Sequence, residues 1–174
     1  FAEAKGLELA RRLIAWADVM VESFTPGTLA RHGLDYASLA AERPDLVMLS
    51  TCLRGQTGPE RGKAGFGGQG AGLAGIASIT GWPDRMPVGP FGAYTDFITP
   101  RYGLAAMAAA LLHRQKTGHG QYVDLSQIEA SLHFIEPVLL DYTVNGRAMG
   151  ARGLDSDRAC PHGVYRCEGK ERYV

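Results

Sequence analysis

The sequence has no excess of charge of either sign: 18 Lys and Arg stand against 18 Asp and Glu in 174 residues. Attraction to nucleic acid or to an anionic membrane needs a basic surplus, so neither is an expected partner. Cysteine is scarce. Cys52, Cys160 and Cys167 make an odd number with no C-x-x-C pair, which suits a reducing cytoplasm better than a disulfide framework. Cys160, His162 and Cys167 lack the fourth ligand and regular spacing of a zinc site, and His32, His113, His119 and His133 have no mutual spacing for a metal or a triad. No metal is expected. Long apolar runs are missing as well. The longest, GLAAMAAALL from Gly103, is far too short to span a bilayer and reads as a buried core helix. No signal peptide opens the chain, so a cytoplasmic location is expected. The sequence begins at Phe1 and stops at Val174 inside a strand-like run, GVYRCEGKERYV, so it reads as the middle of a longer polypeptide.

What is present is rhythm. EAKGLELARRLIAWA puts Leu7, Leu9, Ala10, Leu13, Ile14 and Ala17 close to helical spacing, with Glu3, Lys5, Glu8, Arg11 and Arg12 largely off that face. DVMVES follows as a short apolar run. In TPGTLARHG, Thr25-Pro26 signals a helix start and Gly33 a stop, and DYASLAAERP is a short helix ended by Pro44. DLVMLST and QYVDLS have strand length and composition. Helix, strand, helices, strand is the order of a parallel sheet with both faces covered. After QYVDLS, the stretch QIEASLHFIEPVLLDYTV reads as a helix kinked or broken near Pro137. The polar, glycine-rich NGRAMGARGLDSDRACPHG then reads as a connection to a further domain.

Residues 55 to 92 hold 12 of the 23 glycines. Because apolar residues such as Phe66, Leu73, Ile76 and Ile79 persist there, the stretch is a functional loop or a close-packed segment, not a linker. Gly65, Gly67 and Gly70 match G-x-G-x-x-G, but the preceding PERGKA is a polar loop where a dinucleotide site needs a strand. A glycine-rich helix meeting another backbone through Gly68, Gly72 and Gly75 is the favoured alternative. Next comes FGAYTDFITPRYG, where one carboxylate, Asp96, precedes an apolar helix. Thr99-Pro100 fits the start of that helix, with threonine as cap and proline at the first helical position. Asp96 would then stand one step upstream, either as a capping residue or free for other work.

Several stretches taken together, ADVMVESFTPGTLARHGLDYASLAAERPDLVMLSTCLRGQTGP, YTDF, AALLHRQKTGHGQYVDLSQIEASL and PHGVYRCEGKERYV, resemble the class III coenzyme A transferases. That family includes formyl-CoA transferase, carnitine CoA-transferase and the α-methylacyl-CoA racemases. The resemblance covers nearly the whole chain in order. It implies an α/β fold with an open, Rossmann-like parallel sheet: residues 1–145 would be part of the large domain and 146–174 a linker and the start of a smaller one. It also implies an interlocked homodimer, acyl-CoA and carboxylic acids as substrates, and no permanently bound cofactor. Asp96 aligns with the nucleophile that carries CoA through a mixed anhydride and an aspartyl thioester. Ser23, Phe24, Arg31, His32 and Lys63 fall where the family contacts CoA, while Phe66, Tyr94 and Gln127 fall near the acyl site.

Three alternatives stay open. In the racemase branch an imidazole partners the aspartate, but the matching stretch AGFGGQ has Phe66 at that place, and phenylalanine carries no proton. The chain could also be an incomplete member serving as a binding or assembly partner, or a nicotinamide-binding module resting on the glycine match alone. Phe66, Trp82 and Tyr94 hint at an apolar acyl site. Oxalate, carnitine, bile acids, aromatic succinates and short dicarboxylates are all compatible with it.

Overall fold

The computed structural model describes residues 3–174. Helix α1 (Ala4–Trp16) leads into strand β1 (Val19–Glu22), and a 3-10 turn (Ala30–His32) precedes helix α2 (Tyr36–Glu42) and strand β2 (Val47–Cys52). Helix α3 (Gly67–Leu73), a second 3-10 turn (Ile76–Ile79) and the long helix α4 (Tyr94–Thr117) then lead to strand β3 (Tyr122–Ser126). Helices α5 (Gln127–Phe134) and α6 (Glu136–Asn145) follow. The strands form one parallel sheet in the order β1-β2-β3, with Met20 beside Met48 and Met48 beside Tyr122. This is the mixed α/β, parallel-sheet architecture that the sequence rhythm implies. No helix among the described residues is long and apolar enough to cross a membrane.

The two faces of the sheet are covered by different helices, and side-chain alternation decides which residue meets which. Met20 and Met48 face a core of Leu29, Leu34, Leu39 and Leu46, against which Leu7, Ala10 and Ile14 of α1 pack. Tyr122 shares their face and stacks on Tyr36 of α2, the ring centroids 5.3 Å apart. Leu49 and Leu125 point the other way, toward Gly103 of α4, where a Cβ would lie a tight 3.2 Å from Leu125 Cδ2 and 3.5 Å from Leu49 Cδ2. A second core joins Ala71, Ala74, Ile76 and Ile98 to Tyr94, Tyr102, Ile128 and Leu132, binding α3, α4 and α5 together. At the entry to β3, Gly120 donates its N–H to Pro44 O at 2.8 Å, and a Cβ there would collide with the Leu46 carbonyl. Only glycine fits so close an approach.

Four details differ from the sequence expectations. The GLAAMAAALL run of α4 is not a buried core helix: only Gly103 and Ala110 of it are buried, and Leu104, Leu111 and Leu112 are exposed, because only one face of α4 packs on the sheet. Leu9 and Leu13 of α1 remain more than half exposed, so the buried stripe is narrower than the apolar pattern. Helix α4 begins at Tyr94 and carries Pro100 inside it, rather than starting at Thr99-Pro100. Packing of Tyr94, Ile98 and Tyr102, one turn apart, against α3 and α5 outweighs the local proline signal. The glycines of α3 that meet another element are Gly67 and Gly70, not Gly68, Gly72 or Gly75. The α5–α6 helix breaks at Ile135, with Pro137 in the first turn of α6. Beyond Gly146 the chain runs without helix to a small antiparallel contact, Arg166 beside Tyr173.

An ion-pair cluster ties the amino end of the sheet to α4. Arg114 Nη2 lies 2.8 Å from both Asp18 and Asp45, and Arg43 Nε lies 2.9 Å from Asp45. The hydrogen bond from Arg43 and the nearby positive charges, Arg114 included, hold the Asp45 carboxyl at about 2 against partial burial. Its folded pKa is therefore depressed from the ordinary 3.8, so its contribution is complete above about pH 4 and is lost as pH falls toward 2.

Two outcomes are expected. Leu46→Ala, which empties a fully buried position, should cost about 2–5 kcal/mol by urea denaturation, whereas Leu9→Ala should cost less than about 1 kcal/mol; equal costs would contradict the core assignment. The stability gap between the parent and Asp45→Asn should hold steady from neutral pH to about pH 5 and shrink between about pH 4 and pH 2. A gap that ignores pH would remove the ion pair from the stability of the fold.

Candidate active site

In open parallel sheets the chain leaves each strand at its carboxyl end, and the loops there collect functional groups. Glu22 closes β1 in a buried position; its Oε2 accepts the Phe24 N–H at 2.7 Å and its Oε1 accepts from Gln56 Nε2 at 3.4 Å. Asp124 of β3 accepts the Gln56 N–H at 2.8 Å. These bonds fold the loop after β2 across the strand ends. Cys52 ends β2, and burial followed by nearby carboxylates pushes its thiol up, which keeps it protonated and unreactive.

Beside this loop lies a cleft of about 110 Å³ whose polar lining includes Ser23, Thr25, Arg54, Arg61 and Lys63. Glu60 pairs with Lys63 and, at 2.5 Å, with Arg54. The Lys63 hydrogen bond and charge, with Arg54 adding to them, hold the Glu60 carboxyl below its usual range. One carboxylate against three cations leaves a positive surplus, which suits an anionic ligand such as a phosphate. Ser23 and Lys63, singled out from the sequence, are thus brought together. Arg31 and His32 are not part of that lining. Arg31 folds back on its own turn, reaching Gly27 O at 3.3 Å and Thr28 Oγ1 at 3.2 Å. The His32 carbonyl accepts from Arg11 Nη2 at 2.7 Å. Phe24 stays about half exposed, and its carbonyl accepts from Gln56 Nε2 at 3.2 Å.

Asp96 stands in the first turn of α4 with its side chain open to solvent, and it makes no ion pair among the described residues. Its place in the first turn puts a carboxylate beside the open backbone N–H groups of a 24-residue helix. The first residue of α3 presses on it: a Cβ on Gly67 would lie 2.6 Å from Asp96 Oδ2 and 2.8 Å from Ala93 Cβ. Gly70, one turn on, leaves the same kind of space for Thr95. Thr95 is fully buried, and its Oγ1 lies 3.0 Å from Gly67 O and 3.3 Å from the Gln127 carboxamide. A hydroxyl has one proton, and here two acceptors face it: the Gly67 carbonyl at the shorter distance and Gln127 Oε1 at the longer one. Pro100 has no N–H for the Asp96 carbonyl four residues back, while Thr99 Oγ1 bonds Thr95 O at 2.7 Å.

Phe66, just before α3, is 81% exposed, and its N–H donates to Gln69 Oε1 at 3.0 Å. Tyr94 meets the edge of Phe134 at 5.8 Å within the second core. Gln127 is engaged with Thr95. Sequence reasoning missed Thr95, Arg54 and Arg61. Arg54 could have been found from its place just past β2, and Gly67 and Gly70 from the glycine spacing, taken as one inward helix face.

The family model described as CoA-transferase family III matches residues 1–174. Succinyl-CoA–D-citramalate CoA-transferase of Chloroflexus aurantiacus is 35% identical over 161 residues, 92% of this chain and 40% of its own length. Succinate–glutarate CoA-transferase of Agrobacterium fabrum is 37% identical over 143 residues, 82% of this chain and 36% of its own. A crystal structure of a CAIB/BAIF family protein from Brucella suis superposes with a TM-score of 0.88 at 34% identity, over 95% of this chain and 44% of that one. The chain therefore spans about 40% of the length of the curated relatives it matches. Because the family model matches along its whole length, the chain belongs to CoA-transferase family III.

Proposed function

We propose that this chain is the Asp96-bearing part of an enzyme that moves coenzyme A from an acyl-CoA thioester to a carboxylic acid. One observation carries the proposal: an exposed carboxylate without an ion-pair partner among the described residues, at a helix N-terminus, with a glycine backbone where any side chain would displace it. An Asp96 oxygen attacks the thioester carbonyl, the C–S bond breaks, and CoA leaves as thiolate with a mixed anhydride on the enzyme. The thiolate then attacks the aspartyl carbonyl of the anhydride and expels the donor acid as its carboxylate. An acceptor carboxylate next attacks the aspartyl-CoA thioester, again releasing thiolate, which attacks the acceptor's acyl carbon and frees Asp96. Each step exchanges one activated acyl carbon for another. What the site must supply is positioning and donors for each oxyanion.

The cleft of Ser23, Arg54, Arg61 and Lys63 supports binding of the CoA phosphates, with Phe24, Arg31 and His32 on the neighbouring loop. The names of the two transferases favour short dicarboxylates, with succinyl-CoA as donor, as the first substrates to try. The proposal extends to residues 1–145 as part of a large domain, an interlocked homodimer and a cytoplasmic setting, all implied by the family resemblance. The exposed apolar residues Leu139, Leu140 and Val144 of α6 agree with a further surface packing there.

Incubation of the full-length enzyme with succinyl-CoA, followed by hydroxylamine trapping and intact-mass analysis, should give an adduct that maps to Asp96. Asp96→Ala and Asp96→Asn should lose both adduct and turnover; turnover near that of the parent in either variant would remove Asp96 as the nucleophile. Lys63→Ala should raise the KM for the CoA ester by about 3–10-fold while changing kcat less. An unchanged KM would return Lys63 to an ordinary surface role.

A further inference from the structure

The assignment of Asp96 leaves open what holds its carboxylate in place, since no side chain among the described residues hydrogen-bonds or pairs with it. The buried step before it offers an answer. Thr95 is 0% exposed, and its hydroxyl is the polar side-chain link from the start of α4 to the start of α3. The carbonyl it meets, at 3.0 Å, belongs to Gly67, the residue whose missing Cβ makes room for Asp96 Oδ2. Gln127, the first residue of α5, meets the same hydroxyl at 3.3 Å. Its helix is anchored to the sheet: Ser126 Oγ caps α5 by accepting from Glu129 N–H at 3.3 Å and also contacts Leu53 O, whose carbonyl accepts the Ile128 N–H at 3.1 Å. A continuous set of bonds thus runs from Leu53, just past β2, through α5 to Thr95 and on to the backbone of Gly67.

We propose that Thr95 is a positioning residue, whose hydroxyl, backed by Gln127, sets the gap between the first turns of α3 and α4 and thereby the orientation of the Asp96 carboxylate. This rests on Asp96 being the nucleophile. The two ends of the gap respond differently to change. On the Gly67 side, contact is already closed, so the glycine can only yield apart. On the Thr95 side, one hydrogen bond opposes that separation, and Gly70, where a Cβ would lie 2.8 Å from Thr95 Oγ1, lets α3 come close enough to make it. A shift of about 1 Å in a reacting group can cost on the order of 100-fold in rate without disturbing substrate binding, so a hydroxyl that never touches substrate can control turnover. Valine has nearly the shape of threonine, and it removes the bond while filling the space.

The experiment uses the full-length enzyme and compares Thr95→Val, Thr95→Ser and Gln127→Leu with the parent. Thr95→Val should lower kcat, and the rate of trapping at Asp96, by about 10–100-fold, with the KM for succinyl-CoA changed less than about threefold. Thr95→Ser, which restores the hydroxyl, should recover kcat to within about threefold of the parent, and Gln127→Leu should lie between. A kcat for Thr95→Val equal to that of the parent would overturn the proposal. So would a Thr95→Ser variant as slow as Thr95→Val, because packing and not the hydroxyl would then be at work. If Thr95→Val fails to fold, the serine and Gln127 variants decide: parent-like adduct formation in Gln127→Leu together with a slow serine variant overturns it. An active Asp96→Asn variant would instead defeat the nucleophile assignment itself, whatever the Thr95 variants do.

Discussion

Strand β2 has neighbours on both edges and helices on both faces, and the rest of the molecule is arranged around that fact. Four of its six residues are buried, Ser50 among them, so every backbone group must find its partner in β1 or β3. The parallel register then forces long crossovers, and the crossovers supply α2 on one face and α3 with α4 on the other. Because consecutive residues of β2 point to opposite faces, Met48 packs into the core beneath α1 and α2 while Leu49 faces Gly103 of α4. Just past the end of that strand, the Leu53 carbonyl receives α5. The path from the sheet to the Asp96 site is therefore short, passing from the Leu53 carbonyl through Gln127 and the Thr95 hydroxyl to the Gly67 backbone.

The carboxyl ends of the strands hold two different electrostatic environments side by side. Directly over the strands, Glu22, Asp124 and the half-buried Cys52 form an acidic, inward-facing set whose hydrogen bonds serve the Gln56 loop. Farther out, Arg54, Arg61 and Lys63 surround Glu60 at a solvent-open cleft. The inner set organises backbone, and the outer set is free to meet an anion. Between them and α4 runs the glycine segment, where Gly65 leans on Leu53, Gly67 on Asp96 and Gly70 on Thr95. Absence of side chains at these three positions lets one short helix touch the end of the sheet and the head of α4 together.

The sequence by itself determined the strand runs, the helical rhythm, the break before Pro137, and the choice of Asp96 as the residue in search of a role, because periodicity and turn chemistry are local properties. Its misreadings were also local. Thr99-Pro100 has every sign of a helix start, yet burial of Ile98 and Tyr94 carries α4 back past it to Tyr94. Only the tertiary structure decided which glycines face inward, that Gly67 abuts Asp96, that Thr95 and Gln127 join three helices, and that Ser23 and Lys63 share a cleft while Arg31 turns back on its own loop. These facts depend on the distance and rotation between elements many residues apart, which are fixed by packing across the sheet and have no period in the sequence to announce them.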